Sequence, residues 1–210
     1  MSKYKNLTNY NKIIFNLVSN NQTVLDVGCG YGVLGKRLID QKKAKVFGID
    51  SDNESVLFCK NIQHFTDCKV ADLNNILEIH TITYSNKFDY IIFADILEHL
   101  IHPNYLLVHL SKFLKQDGKI IISVPNIAFV LYRVKLLFGI FKYEKYGVMD
   151  ETHCRFFTKT NYLQILPFLQ TNRNKIYGYS DVSKVFFPLK YLAKIFSGLF
   201  ALQLVIISEK

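Results

Sequence analysis

The sequence predicts an open α/β sheet of about seven strands, mostly parallel and covered by helices on both faces. Three observations carry this. Short β-branched runs alternate with helical segments of about ten to fifteen residues through the first 125 positions. The runs TVLDVG, KVFGID, FDYIIFAD and GKIIISVPN are apolar on both sides, as strands between two helical layers are. The chain has 210 residues, 50% of them hydrophobic, which suits one domain with a large core.

The first strand starts at Thr23 and runs into glycines at 28, 30 and 32. Helices are expected over 33–41 and 53–63, flanking the strand that starts at Lys45. CKVADL, from Cys68, is a weaker fifth strand. Pro103 opens a helix over 104–115, where its missing N–H does little harm, and Gln116-Asp117-Gly118 turns the chain into the next strand. After Asn126 comes a stretch of about 30 residues rich in aromatics and charge, longer than an ordinary connection. A helix over 159–169 and strands over 175–180 and 201–208 follow. The chain reads as a single domain over 1–210.

Composition narrows the function classes. The net charge of +9 admits a polyanionic partner, but the lysines are scattered apart from Lys42, Lys43 and Lys45, so nucleic acid is the weaker reading. Cys29, Cys59, Cys68 and Cys154 share no metal-like or paired spacing. With a start that lacks the apolar run of a secretion signal, they suggest reduced thiols in a cytoplasmic protein. The most apolar long window, 185–207, is interrupted by Pro188, Lys190, Lys194 and Gly198, and reads as a helix then a buried strand rather than a membrane span. The window 131–146 mixes aromatics with Arg133, Lys135, Lys142 and Lys145. It reads as a lid helix with a solvated basic face, with peripheral membrane attachment as the alternative.

In such a sheet a ligand sits beyond the carboxyl ends of the strands, where the strand order reverses. Gly28, Gly30 and Gly32 fall there. A dinucleotide fingerprint would place a glycine at 33, but that residue is Val, so the loop is GxGxG. Asp26 precedes the glycines and Asp50 closes the next strand. A carboxylate at the second position can accept both hydroxyls of a ribose; the competing role for Asp50 is a helix N-cap.

VLDVGCGYG, GID, ADL at 71–73, FDYIIFADILEHL and LKQDGKIIISVPN, in that order, resemble the motifs of the class I S-adenosylmethionine-dependent methyltransferases. The resemblance spans roughly 21–157. It implies a Rossmann-like sheet of strand order 3-2-1-4-5-7-6 with the seventh strand antiparallel, and S-adenosyl-L-methionine as cofactor. It implies that Asp26 and the loop Gly28, Cys29, Gly30 and Gly32 hold the methionine end, and that Asp50 and Ser51 meet the ribose. Asp72 and Leu73 would border the adenine, and Ala94 and Asp95 would approach the sulfonium. It also implies a substrate cap over about 127–157, inserted after the fifth strand between core segments 20–126 and 158–210.

Methyl transfer to oxygen needs an aligned nucleophile and usually removal of a proton. DILEHLIHP offers Asp95, Glu98, His99 and His102; DETHCRFFT offers Asp150, Glu151, His153 and Arg155. If a helix begins at Asp95, residues 95, 98 and 99 share one face. The D-x-x-E-H pattern is similar to the E-x-x-E-H metal sites of the small-RNA 3′-end 2′-O-methyltransferases and to a motif of the ubiquinone-pathway O-methyltransferases. That resemblance implies Glu98, His99 and His153 as ligands of a divalent ion such as Mg²⁺. Two other roles stay open: His99, His153 or Asp95 as a metal-free catalytic group, or a structural role. His64, His80 and His109 are expected at the surface or in helix packing. The cap resembles that of a subgroup acting on small molecules, quinone precursors or surface-polysaccharide sugars. The expected function is O-methylation of a small molecule or of a glycan or lipid-linked precursor. RNA methylation and a non-catalytic cofactor-binding scaffold are the rivals.

Overall fold

A computed structural model describes residues 9–85, 87–164, 174–180 and 192–209. Its strands are β1 (Thr23–Val27), β2 (Lys45–Asp50), β3 (Asp67–Val70), β4 (Phe88–Ala94), β5 (Leu114–Pro125), β6 (Lys175–Tyr179) and β7 (Gln203–Glu209). They form one sheet in the order β3-β2-β1-β4-β5-β7-β6, as the resemblance implied. Strands β1 to β5 pair in parallel, and β7 runs antiparallel to both β5 and β6. The order reverses between β1 and β4, so the crevice lies at the carboxyl ends of β1, β2 and β4.

The helices are α1 (Asn9–Leu17), α2 (Val33–Lys42), α3 (Asn53–Asn61), α4 (Ile76–Thr81), α5 (Pro103–Ser111) and α6 (Val130–Leu137). Strand side chains alternate between two cores. Val24, Val46 and Ile92 pack with Ile14 of α1, Leu38 of α2 and Val56 of α3. Leu25, Ile91 and Phe93 pack with Ile79 of α4 and Leu106 and Leu110 of α5. Each such fully buried aliphatic side chain stabilises the fold by about 1.5–3 kcal/mol. Both faces of the central strands are buried, which explains their unbroken apolar runs.

Several boundaries differ from expectation. The helix expected to reach 115 stops at Ser111, and β5 begins at Leu114. Gln116-Asp117-Gly118 is therefore no turn before the strand but an insertion within it, since Phe88 pairs with Leu114 and Tyr90 already pairs with Lys119. Lys115 in that bulge reaches Asp89 at 2.7 Å, and Asp89 also accepts from the Thr23 N–H at 2.8 Å, tying β1, β4 and β5 together. The lid helix expected within 131–146 forms over Val130–Leu137, as α6. Helices α1 and α4 were not read from the sequence, and at nine and six residues both are short. Of the helix expected over 159–169, the described part is a 3₁₀ turn at Asn161–Gln164, and 165–169 lies outside the described residues. So does 185–191 of the apolar window. Among the described residues no helix is long and apolar enough to cross a membrane.

Asn126, wholly buried, is the post from which the inserted segment departs. Its Nδ2 donates to the carbonyls of Ala201 at 2.7 Å and Gly198 at 3.3 Å, and its Oδ1 accepts from the Ala128 N–H at 3.1 Å. Asn126 forms a parallel bridge with Phe157, and the Ile127 N–H donates to the Phe157 carbonyl at 3.0 Å. The segment thus leaves and re-enters the sheet at one place. Between these ends, α6 buries no residue at all; Phe129 just before it, and Val148 and Met149 near the return, tuck in.

Candidate active site

The glycine loop is stitched to β2. The N–H groups of Gly28 and Cys29 donate to the Ile49 carbonyl at 2.8 and 3.1 Å. The Gly30 N–H donates to Asp50 Oδ2 at 2.7 Å, and Asp50 Oδ1 accepts from the Asp52 N–H at 3.0 Å. The N-cap of α3 is Asp52, which accepts from Glu54 and Ser55 N–H at 3.3 and 3.1 Å. Asp50 is therefore free of the capping duty and stands at the strand end beside exposed Ser51, with lone pairs left for a ligand.

The glycines differ in what they do. A Cβ on Gly32 would meet Cys59 Sγ at 2.8 Å and Phe65 at 3.0 Å, and one on Gly28 would meet Ile96 at 2.9 Å, so packing alone explains both. A Cβ on Gly30 would meet nothing within 4 Å, and its φ is +50°. Its open side is where the loop can lie against a ligand. Asp26, 3% exposed, is pushed up to about 7 by its burial, reinforced by Cys68 and Asp50. A buried acid held this way suits a cationic partner such as an α-amino group. The residues present thus fit S-adenosylmethionine.

Beyond β3, the Ala71 N–H donates to the Asp50 carbonyl at 2.9 Å. Leu73 is buried in the core, whereas Asp72 is exposed and accepts from the Asn74 N–H at 2.9 Å. Asn74, which the sequence did not single out, bridges to the next loop: its Oδ1 accepts from the Ile101 N–H at 2.8 Å and its Nδ2 donates to the His99 carbonyl at 3.3 Å.

After half-buried Ala94, the chain does not enter an α-helix. Asp95 takes a left-handed φ of 53°, and a 3₁₀ turn, Leu97–His99, follows. The shared face expected for 95, 98 and 99 is not formed. Asp95 Oδ1 instead accepts from Ser123 Oγ at 2.7 Å and Gln203 Nε2 at 2.5 Å, which fastens it to β5 and β7. Neither donor is near in sequence, so the spacing could not reveal them. Ile96 packs on Gly28, placing this turn against the cofactor loop.

Glu98 and His99 find His153 across the fold. The N–H groups of Cys154 and Arg155 both donate to the Glu98 carbonyl, at 2.8 and 3.1 Å. The Arg155 Nε donates to the carbonyls of Leu100 and Ile101, each at 3.1 Å, and Nη2 also reaches Ile101. These bonds bring the His99 and His153 rings edge to face, 4.8 Å between centroids. One ligand atom from each of Glu98, His99 and His153 lies within 4.8 Å of the others. His153 Nδ1 faces the Val148 carbonyl at 3.1 Å and can only donate. His99 Nδ1 faces Thr152 Oγ1 at 3.1 Å, whose own hydrogen goes to Asp150 Oδ1 at 2.6 Å, so it too donates. In the neutral ring each Nε2 then carries the lone pair, the tautomer a metal ligand or a base requires.

Burial and the neighbouring His153 hold the His99 imidazole below its ordinary value, hence neutral. Glu98 is 1% exposed, and its Oε2 is buried with no hydrogen-bond partner. Burial, and then Asp95, push its carboxyl up to about 9. Glu151 is exposed, and His102 stands at the N-cap of α5 without capping it through its side chain. His109 bonds the Ile82 carbonyl at 2.9 Å, and His80 stacks edge to face on Tyr105 and His109, so both serve packing. The cysteines are free thiols, yet Cys29, Cys59 and Cys68, unrelated by spacing, converge behind the glycine loop, with Cys29 Sγ 3.6 Å from Cys68 Sγ and 4.0 Å from Cys59 Sγ.

Comparison with known proteins agrees with this architecture. The family described as "Methyltransferase domain" matches residues 18–166. A ubiquinone biosynthesis O-methyltransferase of Glaesserella parasuis is 33% identical over 107 residues, 49% of this chain and 45% of that protein. A mitochondrial one of Dictyostelium discoideum is 29% identical over 118 residues, 52% and 37% respectively. The chain thus spans less than half the length of these relatives. In fold it is similar to a SAM-dependent methyltransferase of Archaeoglobus fulgidus (TM-score 0.65, 18% identity, 95% of this chain and 90% of that one). It is similar also to the plantazolicin methyltransferase BpumL in complex with SAH (TM-score 0.58, 18% identity, 96% and 80%). From sheet order, cofactor loop and family match together, the chain belongs to the S-adenosylmethionine-dependent methyltransferases.

Proposed function

We propose that this protein transfers the methyl group of S-adenosylmethionine to a hydroxyl of a small molecule or of a glycan or lipid-linked precursor, at a site where Glu98, His99 and His153 hold a divalent ion such as Mg²⁺. The observation that carries the reading is the orphaned Oε2 of Glu98, wholly buried beside two imidazoles whose Nε2 lone pairs are unprotonated. An unpaired buried carboxyl is costly, and a cation shared with two neutral imidazoles resolves that cost. When bound, such an ion binds the acceptor oxygen and lowers its pKa. The chain's own part is positional. Asp26, Gly30 and Asp50 hold the cofactor, and the Glu98 carbonyl and Arg155 fix His153 opposite His99. The relatives named for ubiquinone biosynthesis are O-methyltransferases, which favours oxygen as nucleophile.

The test incubates the protein with isotopically labelled S-adenosylmethionine, Mg²⁺ and a panel of phenols, sugar nucleotides and lipid-linked glycans. Labelled methyl ether on one class, lost with EDTA and in Glu98→Gln, supports the reading. Transfer to RNA alone would establish the rival acceptor. Cofactor binding with no transfer to any acceptor would leave a scaffold.

A second observation bears on how the acceptor is presented. Leu131, Leu137, Phe138, Phe141 and Tyr146 are exposed, from 48% to 81%, among Arg133, Lys135, Lys142 and Lys145. Apolar side chains ringed by cations suit the surface of an anionic bilayer, where a lipid-linked acceptor would be met. Co-sedimentation with phosphatidylglycerol vesicles but not phosphatidylcholine vesicles, abolished by Leu137→Glu with Phe138→Glu, checks it. Binding neither kind of vesicle points to a soluble acceptor.

A further inference from the structure

Cys29, Cys59 and Cys68 come from three separate elements: the cofactor loop, α3 and β3. All three sulfurs lie within 4.8 Å of one another, the two closest pairs at 3.6 and 4.0 Å. A cation held by three thiolates at about 2.3 Å requires sulfurs about 3.8 Å apart. The native separations therefore already bracket the value that a bound ion would impose.

The room for these sulfurs is made by a glycine. A Cβ on Gly48, in β2, would come within 2.6 Å of Cys68 Sγ and 2.9 Å of Cys29 Sγ. Buried cysteines often act as small hydrophobes, but such packing has no need to direct three sulfurs to one point. The surroundings are acidic too. Asp26 and Asp50 both act electrostatically on Cys68 and favour an added cation there, against the single positive charge of Lys60.

We propose that Cys29, Cys59 and Cys68 form a site for a soft thiophilic ion, zinc(II) or copper(I), directly behind the cofactor loop. Thiolate ligands select these ions over Mg²⁺, so the site is chemically distinct from the Glu98, His99 and His153 group. Loading exchanges three S–H bonds for three sulfur–metal bonds and releases three protons to solvent, with no change of oxidation state. Because Cys29 stands between Gly28 and Gly30, the ion and the methyl donor share one loop.

The experiment uses the full chain, reduced and stripped of metal. Zinc(II) and copper(I) are titrated separately against chromophoric competitors, and ¹¹³Cd NMR reports the ligand type. We expect one ion with a thiolate-rich cadmium shift, beside any ion that the Glu98, His99 and His153 group takes up with an imidazole- and oxygen-type shift. Affinity should fall at least tenfold in Cys59→Ser and in Cys68→Ser, and stay unchanged in Cys154→Ser and His153→Ala. The relative affinities decide between the two ions. Circular dichroism with a cooperative thermal transition checks that each variant is folded. Should Cys68→Ser fail to fold, Cys29→Ser takes its place. No thiolate-bound ion, such an ion retained by Cys59→Ser at full affinity, or its thiolate-type cadmium signal lost on His153→Ala would each overturn the proposal.

Discussion

The Gly30 N–H donates to the Asp50 carboxylate at 2.7 Å, so the glycine loop and the acid that ends β2 form one preassembled unit. Removing the carboxylate therefore does two things: it leaves the Gly30 N–H without its partner and, in the proposed cofactor site, deletes an acceptor for the ribose. Asp50→Ala is expected to weaken S-adenosylhomocysteine binding by about 1.5–3 kcal/mol, the range for hydrogen bonds to a charged group. Calorimetry checks this, and an unchanged affinity would remove Asp50 from the cofactor site.

Gly30 and Gly32 should fail differently. An alanine at 32 drives its Cβ into Cys59 and Phe65, so Gly32→Ala should lower thermal stability sharply. At 30 nothing in the protein obstructs a Cβ, and the strain of a positive φ costs about 1–2 kcal/mol. Gly30→Ala should thus stay folded yet lose cofactor affinity out of proportion to its melting shift. Equal ratios of the two losses in both variants would contradict this division.

Asp26 makes stability depend on pH. Its carboxyl rises from 3.8 to about 7 on folding, so the folded chain binds this proton more tightly than the unfolded one. The native state is then unpenalised below the unfolded value, loses stability as pH climbs through the window between the two, and carries the full cost above about 7, on the order of 4 kcal/mol. Asp26→Asn should stabilise the cofactor-free protein against urea at pH 8.5, the gain shrinking as pH falls toward 4. The same variant should bind cofactor more weakly. A stability gain that is flat with pH would show that burial does not perturb this acid.

Arg155 holds the returning chain by the carbonyls of Leu100 and Ile101. Arg155→Ala should cost about 1–3 kcal/mol of stability, the scale of hydrogen bonds from a charged donor, and displace His153 from His99. Turnover should fall while S-adenosylhomocysteine affinity stays within twofold or so. A matched loss of both would place Arg155 in general folding instead.

The strands were legible because both faces of a central parallel sheet are buried, which leaves long apolar runs that no exposed helix would carry. Asp26, the glycines and Asp50 were legible for a related reason: their roles depend on strand ends, which those runs reveal. The spacing picked out Glu98 and His99, which the fold brings together with His153, but through a helix that the chain does not form. The left-handed backbone at Asp95 depends on Ser123 and Gln203, which only the assembled sheet brings near. The thiol group and the Asn74 bridge were invisible for the same reason. Their members sit in loops, a helix and a strand that only the assembled fold brings together, and such contacts leave no mark on spacing along the chain.

The segment anchored at Asn126 and Phe157 has a consequence for evolution. Its central part, around α6, lends nothing to either core, while both of its ends are clamped to the sheet. Sequence there can drift, lengthen or be exchanged without threatening the fold. If that stretch meets the acceptor, as the proposed function has it, a lineage could keep one methyl donor and one loop and still change customers by rewriting it.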